Sequence, residues 1–149
     1  SIRSARYVGS LLRDTKDVGV TLFHVLKPMP RELMEHGGSE DPEMEDQLGV
    51  QLRKDQEDWV RTESVIEYPI LLKVLEPLGQ TGFPLDRVTL KFGHERDIAD
   101  TIIDAAKSGG YGTIVVTRHE TTGTKRFLGN GIVDRLLREM SGVAIWVLG

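Results

Sequence analysis

The chain has no cysteine in its 149 residues. That excludes disulfides, zinc ribbons, iron–sulfur clusters and a thiol nucleophile. Positive charge is not in excess: 19 Lys and Arg stand against 23 Asp and Glu, a net −4. A broad nucleic-acid surface needs a concentrated basic face, so no nucleic-acid partner is expected. No apolar run approaches the roughly 20 residues of a membrane span. The N-terminal stretch lacks the apolar core of a signal peptide, so a cytoplasmic location is the expectation. No G-x4-G-K-[ST], no HExxH and no dinucleotide fingerprint occurs; after Gly129 and Gly131 the sixth position is Asp134.

What is present suits one domain over residues 1–149. Ile2, Ala5, Val8, Leu11 and Leu12 share one face of a helix over residues 2–15. Val20 to Leu26 is continuously apolar and rich in β formers, which predicts a strand buried on both faces. After a polar loop, a long helix starts at Pro42. Met44, Leu48, Leu52, Trp59 and Ile66 form its apolar stripe, and Pro69 should kink or restart it. Its charged side is read as a solvated cover on the sheet. Val88, Leu90 and Phe92 alternate with polar residues, as in a half-exposed edge strand.

Ile98 to Ala106 is helical and stops at Gly109-Gly110. Ile114-Val115-Val116 is a second buried strand, residues 117–129 a loop, and Ile132 to Met140 a short helix. Val143 to Leu148 is the last strand. Helix and strand alternate four times, which predicts an α/β fold with a mostly parallel sheet and helices on both faces.

Residues 115–135 carry a motif. Gly123-Thr124-Lys125-Arg126-Phe127-Leu128 and Asp134-Arg135 resemble the signature of the universal stress protein family. Phe23-His24-Val25-Leu26, Gly93-His94 and the Ser1 to Ala5 segment also resemble that family. The resemblance implies a doubly wound sheet of order 3-2-1-4-5. It places the family's first strand ahead of Ser1; that strand is expected to belong to the same chain, the alternative being a slot between the second and fourth strands filled by another chain. It also implies a stress-response role and an adenine-nucleotide site lined by Val25, Val116, Thr117, Arg118, Glu120, Asn130, Gly131 and Ile132.

The family's G-x2-G-x9-G-[ST] pattern is degenerate here. Thr117 and Glu120 replace its first two glycines, and Asn130-Gly131 replaces its last pair. Glycines there let backbone N–H groups approach a triphosphate. A Glu120 carboxylate about 4 Å from a phosphate charge costs roughly 1 kcal/mol in water and about 4 at an effective dielectric of 20. The first reading is therefore a non-enzymatic regulatory or interaction module with a weakened or lost ATP site and a protein partner. The alternative is an ATP- or AMP-binding switch. Slow ATP hydrolysis ranks last, since no acid–base pair or magnesium ligand is evident.

No metal site is expected: His24, His36, His94 and His119 lack ligand spacing, and His24 reads as a hydrogen-bonded core residue. The resemblance further implies a homodimer through the last strand, with Val143, Ile145, Trp146 and Val147 at the contact.

Overall fold

The computed structural model describes residues 2–94, 97–117 and 131–149. Helix α1 (Ile2–Leu12) leads into strand β1 (Val20–Val25). A 3-10 turn at Arg31–Leu33 precedes helix α2 (Pro42–Gln80), which contains 39 residues. At 1.5 Å per residue, α2 is roughly 58 Å long. Then come strand β2 (Val88–Gly93), helix α3 (Ile98–Gly109), strand β3 (Thr113–Thr117), helix α4 (Ile132–Glu139) and strand β4 (Ala144–Leu148).

Local chemistry explains most boundaries. Asp41 caps α2 by accepting from the Glu43 N–H, with Pro42 in the first turn where its missing N–H costs nothing. Asp97 caps α3 in the same way, accepting from the Asp100 N–H. Gly110 ends α3 with φ +64, a conformation that disfavours any side chain.

Helix α2 continues through Pro69 and Pro77 rather than restarting at Pro69. The carbonyl released at Pro69 belongs to Val65, an exposed residue, so water can satisfy it. The stripe of this helix is also offset from the expected one. Met44 and Ile66 are exposed, while Glu63, Leu71 and Leu78 are buried. Two acids, Glu63 and Glu67, stand on the packed face, and each has a basic partner on or just after β1.

The five-stranded doubly wound sheet of order 3-2-1-4-5 is not what forms. The structure has two separate two-stranded sheets, β1 with β2 and β3 with β4, each parallel. More of the chain is helix than strand. The physical reason is hydrogen bonding: among the described residues no segment lies between β1 and β3 to pair with both. The expected double burial of the apolar strands fails for the same reason. Every residue of β1 is only half-buried, and Thr113 and Val115 of β3 are exposed.

The described core gathers under the first sheet. Ala5 of α1, Leu78 of α2 and Phe83 pack together, with Val20, Leu22 and Val88 against them. Side chains alternate across a strand, so Phe23 points to the other face. There it meets Gly93 and Thr101 of α3. Helices α1 and α2 therefore cover one face of the β1–β2 pair, and α3 the opposite face.

Candidate functional site

A groove of about 1440 Å³ runs between the two sheets. Val20 to His24 line one side and Thr113 to Thr117 the other. Ala5, Val8, Leu12, Leu71 and Val74 supply one wall, and Ile102, Ala105 and Ala106 of α3 the opposite wall. Apolar surface thus meets any occupant from both helical layers.

Two side-chain bonds span the groove. The Tyr111 hydroxyl, just before β3, bonds Thr21 Oγ1 at 2.8 Å, near the start of β1. The Thr117 hydroxyl, at the end of β3, donates to Ser4 Oγ of α1 at 3.0 Å. Leu12 and Val20 pack against the same core cluster, and the short connection over residues 13–19 joins the end of α1 to the start of β1, so α1 runs back along β1 and Ser4 lies toward the carboxyl end of β1. Strands β1 and β3 therefore run in the same direction.

The backbone edges facing the groove follow from the ladders. The Leu26 N–H bonds the Gly93 carbonyl of β2, and the Ala144 N–H bonds the Gly112 carbonyl. Backbone groups of successive strand residues point to opposite sides. Even-numbered residues of β1 and β3 therefore face their strand partners. Thr21, Phe23 and Val25, with Thr113, Val115 and Thr117, turn their N–H and C=O groups toward the groove.

A hydrogen bond and an ion pair stand between the carboxyl end of β1 and α2. His24 Nε2 lies 2.5 Å from Glu67 Oε2, and Lys27 Nζ lies 3.1 Å from Glu63 Oε1. Glu63 is buried, and among the described residues its Oε2 has no hydrogen-bond partner. His24 also meets Phe92 edge to face. His24 is thus hydrogen-bonded as expected, although half-buried.

A second cleft, of about 1280 Å³, lies between the Pro28–Glu35 segment, α2 and the start of α3. Arg31, Arg53 and Arg61 share it with Glu35, Glu57, Asp97 and Asp100. Mixed charge of this kind favours neither anions nor cations. Between α3 and α4, Arg135 binds Asp97 at 2.7 Å and also pairs with Asp100 and Glu139. These acids raise the Arg135 pKa, with Glu139 the largest cause.

Of the residues expected at a nucleotide site, Val116 and Thr117 line the groove. Val25 closes β1 beside Gly93. Gly131 is the N-cap of α4, without a side-chain cap bond, and Ile132 is the first helical residue. Arg118, Glu120 and Asn130 lie outside the described residues. Trp146 of the last strand, opposite Val115 in register, also lines the groove. Ile145 is half-buried and Val147 exposed, while Val143 precedes the strand.

Sequence reasoning passed over Ser4, Glu63, Glu67 and Tyr111. For the acids a signal existed: Glu63, Glu67, Leu71, Val74 and Leu78 recur at helical spacing. No family model, no curated protein and no solved structure matches this chain. Among the described residues no helix is long and apolar enough to cross a membrane.

Proposed function

We propose that this chain is a regulatory interaction module of the universal stress protein type, acting by binding another protein rather than by turnover. The observation that carries the reading is the groove between β1 and β3, apolar on both walls and edged by strand backbone. Exposed apolar surface concentrated in one concavity marks an interaction site. The sequence resemblance supplies the stress-response context, and a cytoplasmic location belongs to the same proposal.

A second reading, an ATP- or AMP-binding switch, is favoured by one feature. Gly131 leaves the first N–H groups of α4 without a side-chain cap. Against it, Asp134 sits in that first turn, with Oδ2 near Gly131. A carboxylate there already satisfies the positive end of the helix and repels phosphate. Calorimetric titration with ATP and magnesium tests the choice. The interaction reading expects no heat of binding. Saturable binding at micromolar ATP overturns it in favour of the switch, and hydrolysis is then measured.

A further inference from the structure

We propose that the outer face of α2 is a self-association surface, on which a second copy of this chain packs its own α2 in antiparallel. This inference does not rest on the interaction reading, because none of the residues it uses lines the groove between the sheets.

The face is apolar and exposed. Val65 is 72% exposed, the most of any large hydrophobic among the described residues, and Tyr68, Pro69 and Leu72 are exposed beside it. At 3.6 residues per turn these four fall within an arc of roughly 100°. That arc lies opposite Glu63, Glu67 and Leu71, the side of α2 that packs toward β1. Of α2, only Ile70, Leu71, Val74 and Leu78 reach the groove. The exposure of Val65 and its neighbours therefore does not depend on what fills that groove. Contiguous apolar surface on one helix face marks an association site.

The flanking charges specify the occupant. Arg61 stands one turn before the patch and Glu76 one turn after it, on the same side of the helix. The Arg61 side chain is 76% exposed, and among the described residues it pairs only with Asp58 of its own helix, at 3.7 Å. Glu76 is exposed and has no basic partner among the described residues. A two-fold axis passing between Tyr68 and Pro69 lays Val65 opposite Leu72 of the second copy, and Arg61 opposite Glu76. Each contact then occurs twice, as in any isologous dimer. A parallel arrangement would set arginine against arginine and glutamate against glutamate. Charge complementarity thus selects the antiparallel pair.

The same axis serves the backbone. Pro69 leaves the Val65 carbonyl without its helical donor. Covering that carbonyl with apolar surface alone would be costly. The Tyr68 hydroxyl of the second copy, opposite Pro69, brings a donor to it.

The test is sedimentation equilibrium of the Val147→Lys chain, in which the β4 edge is blocked, up to about 500 μM. A contact of about four helical turns is at the small end of interface sizes, so a monomer–dimer midpoint on the order of 100 μM is expected. Adding Val65→Lys, at a position that packs against nothing in the monomer, should weaken association about tenfold or more. Tyr68→Phe should weaken it about fivefold. Arg61→Glu and Glu76→Arg should each weaken it by a similar factor, about fivefold, and mixing the two variants should restore it, because every glutamate then faces an arginine. Circular dichroism confirms that each variant keeps its helix. Monomer at every concentration, or association indifferent to Val65→Lys, overturns the proposal. A mixture that associates no better than either charge variant overturns the antiparallel pairing on which it rests.

Discussion

His24 Nε2 and Glu67 Oε2 lie 2.5 Å apart, a bond that ties β1 to α2 across 43 residues of sequence. Both side chains are largely shielded from water, at 26% and 15% exposure. Losing either partner strands the other in a poorly hydrated place. Glu67→Ala is expected to lower unfolding free energy by roughly 2 kcal/mol, the usual range for hydrogen bonds to charged groups. Urea denaturation checks it. A double-mutant cycle with His24→Gln should return a coupling of about 1 kcal/mol or more.

Lys27 pairs with the buried Glu63, whose second oxygen has no partner among the described residues. Removing the lysine leaves a buried carboxylate uncompensated. Lys27→Ala should therefore destabilise by about 1–3 kcal/mol. The double variant Lys27→Ala with Glu63→Met should recover much of that loss, because no charge then remains to be buried. Thermal unfolding of the three proteins distinguishes this from a simple loss of lysine packing.

Gly93 closes β2 where α3 comes closest. A methyl group there would collide with Thr101 Cγ2 and with the Phe23 ring. Gly93→Ala should cost about 1–3 kcal/mol by overpacking. Pairing it with Thr101→Ser, which deletes the obstructing methyl, should return part of the loss in the same denaturation assay.

Asp97 makes the acid sensitivity of α3 predictable. Its carboxyl is held below the ordinary value of 3.8, first by the Asp100 backbone N–H, against a smaller opposing effect of burial, and then by Arg135. A lowered carboxylate pKa adds stability that is present above 3.8 and lost as pH falls through the folded value. The α3 start should loosen in that acid range. Asp97→Asn keeps a capping oxygen but should flatten the acid limb, which helical circular dichroism against pH will show.

The last strand carries the prediction of self-association. Strand β4 pairs with β3 on one edge, and among the described residues nothing pairs with the other. Exposed Val147 and half-buried Ile145 stand along it. A homodimer through this edge should appear in sedimentation at micromolar concentration, and Val147→Lys should shift it toward monomer. Only monomer at all concentrations counts against that arrangement.

Much of the element order was legible from residues 2–25. The apolar spacing of α1 and the β-branched run of β1 are local signals, and both elements formed within three residues of the expected bounds. Asp41-Pro42 announced the start of α2 because a cap acts only on its own first turn. The packed face of α2 was less legible. An apolar-only stripe overlooks Glu63 and Glu67, whose burial depends on Lys27 and His24 far away in sequence. Of the candidate site, Val116 and Thr117 fell on the groove, whereas Gly131 marks a helix cap.

The sequence by itself determined four helices and four strands in alternation. Periodicity, caps and glycine stops act over one or two turns, and no distant segment is needed to satisfy them. Only the tertiary structure decided that the strands form two pairs rather than one sheet. Strand backbones find hydrogen-bond partners across the fold, as the Leu26 N–H after β1 finds the Gly93 carbonyl of β2. The groove follows from that decision, since it exists wherever two strand edges face each other without a strand between them.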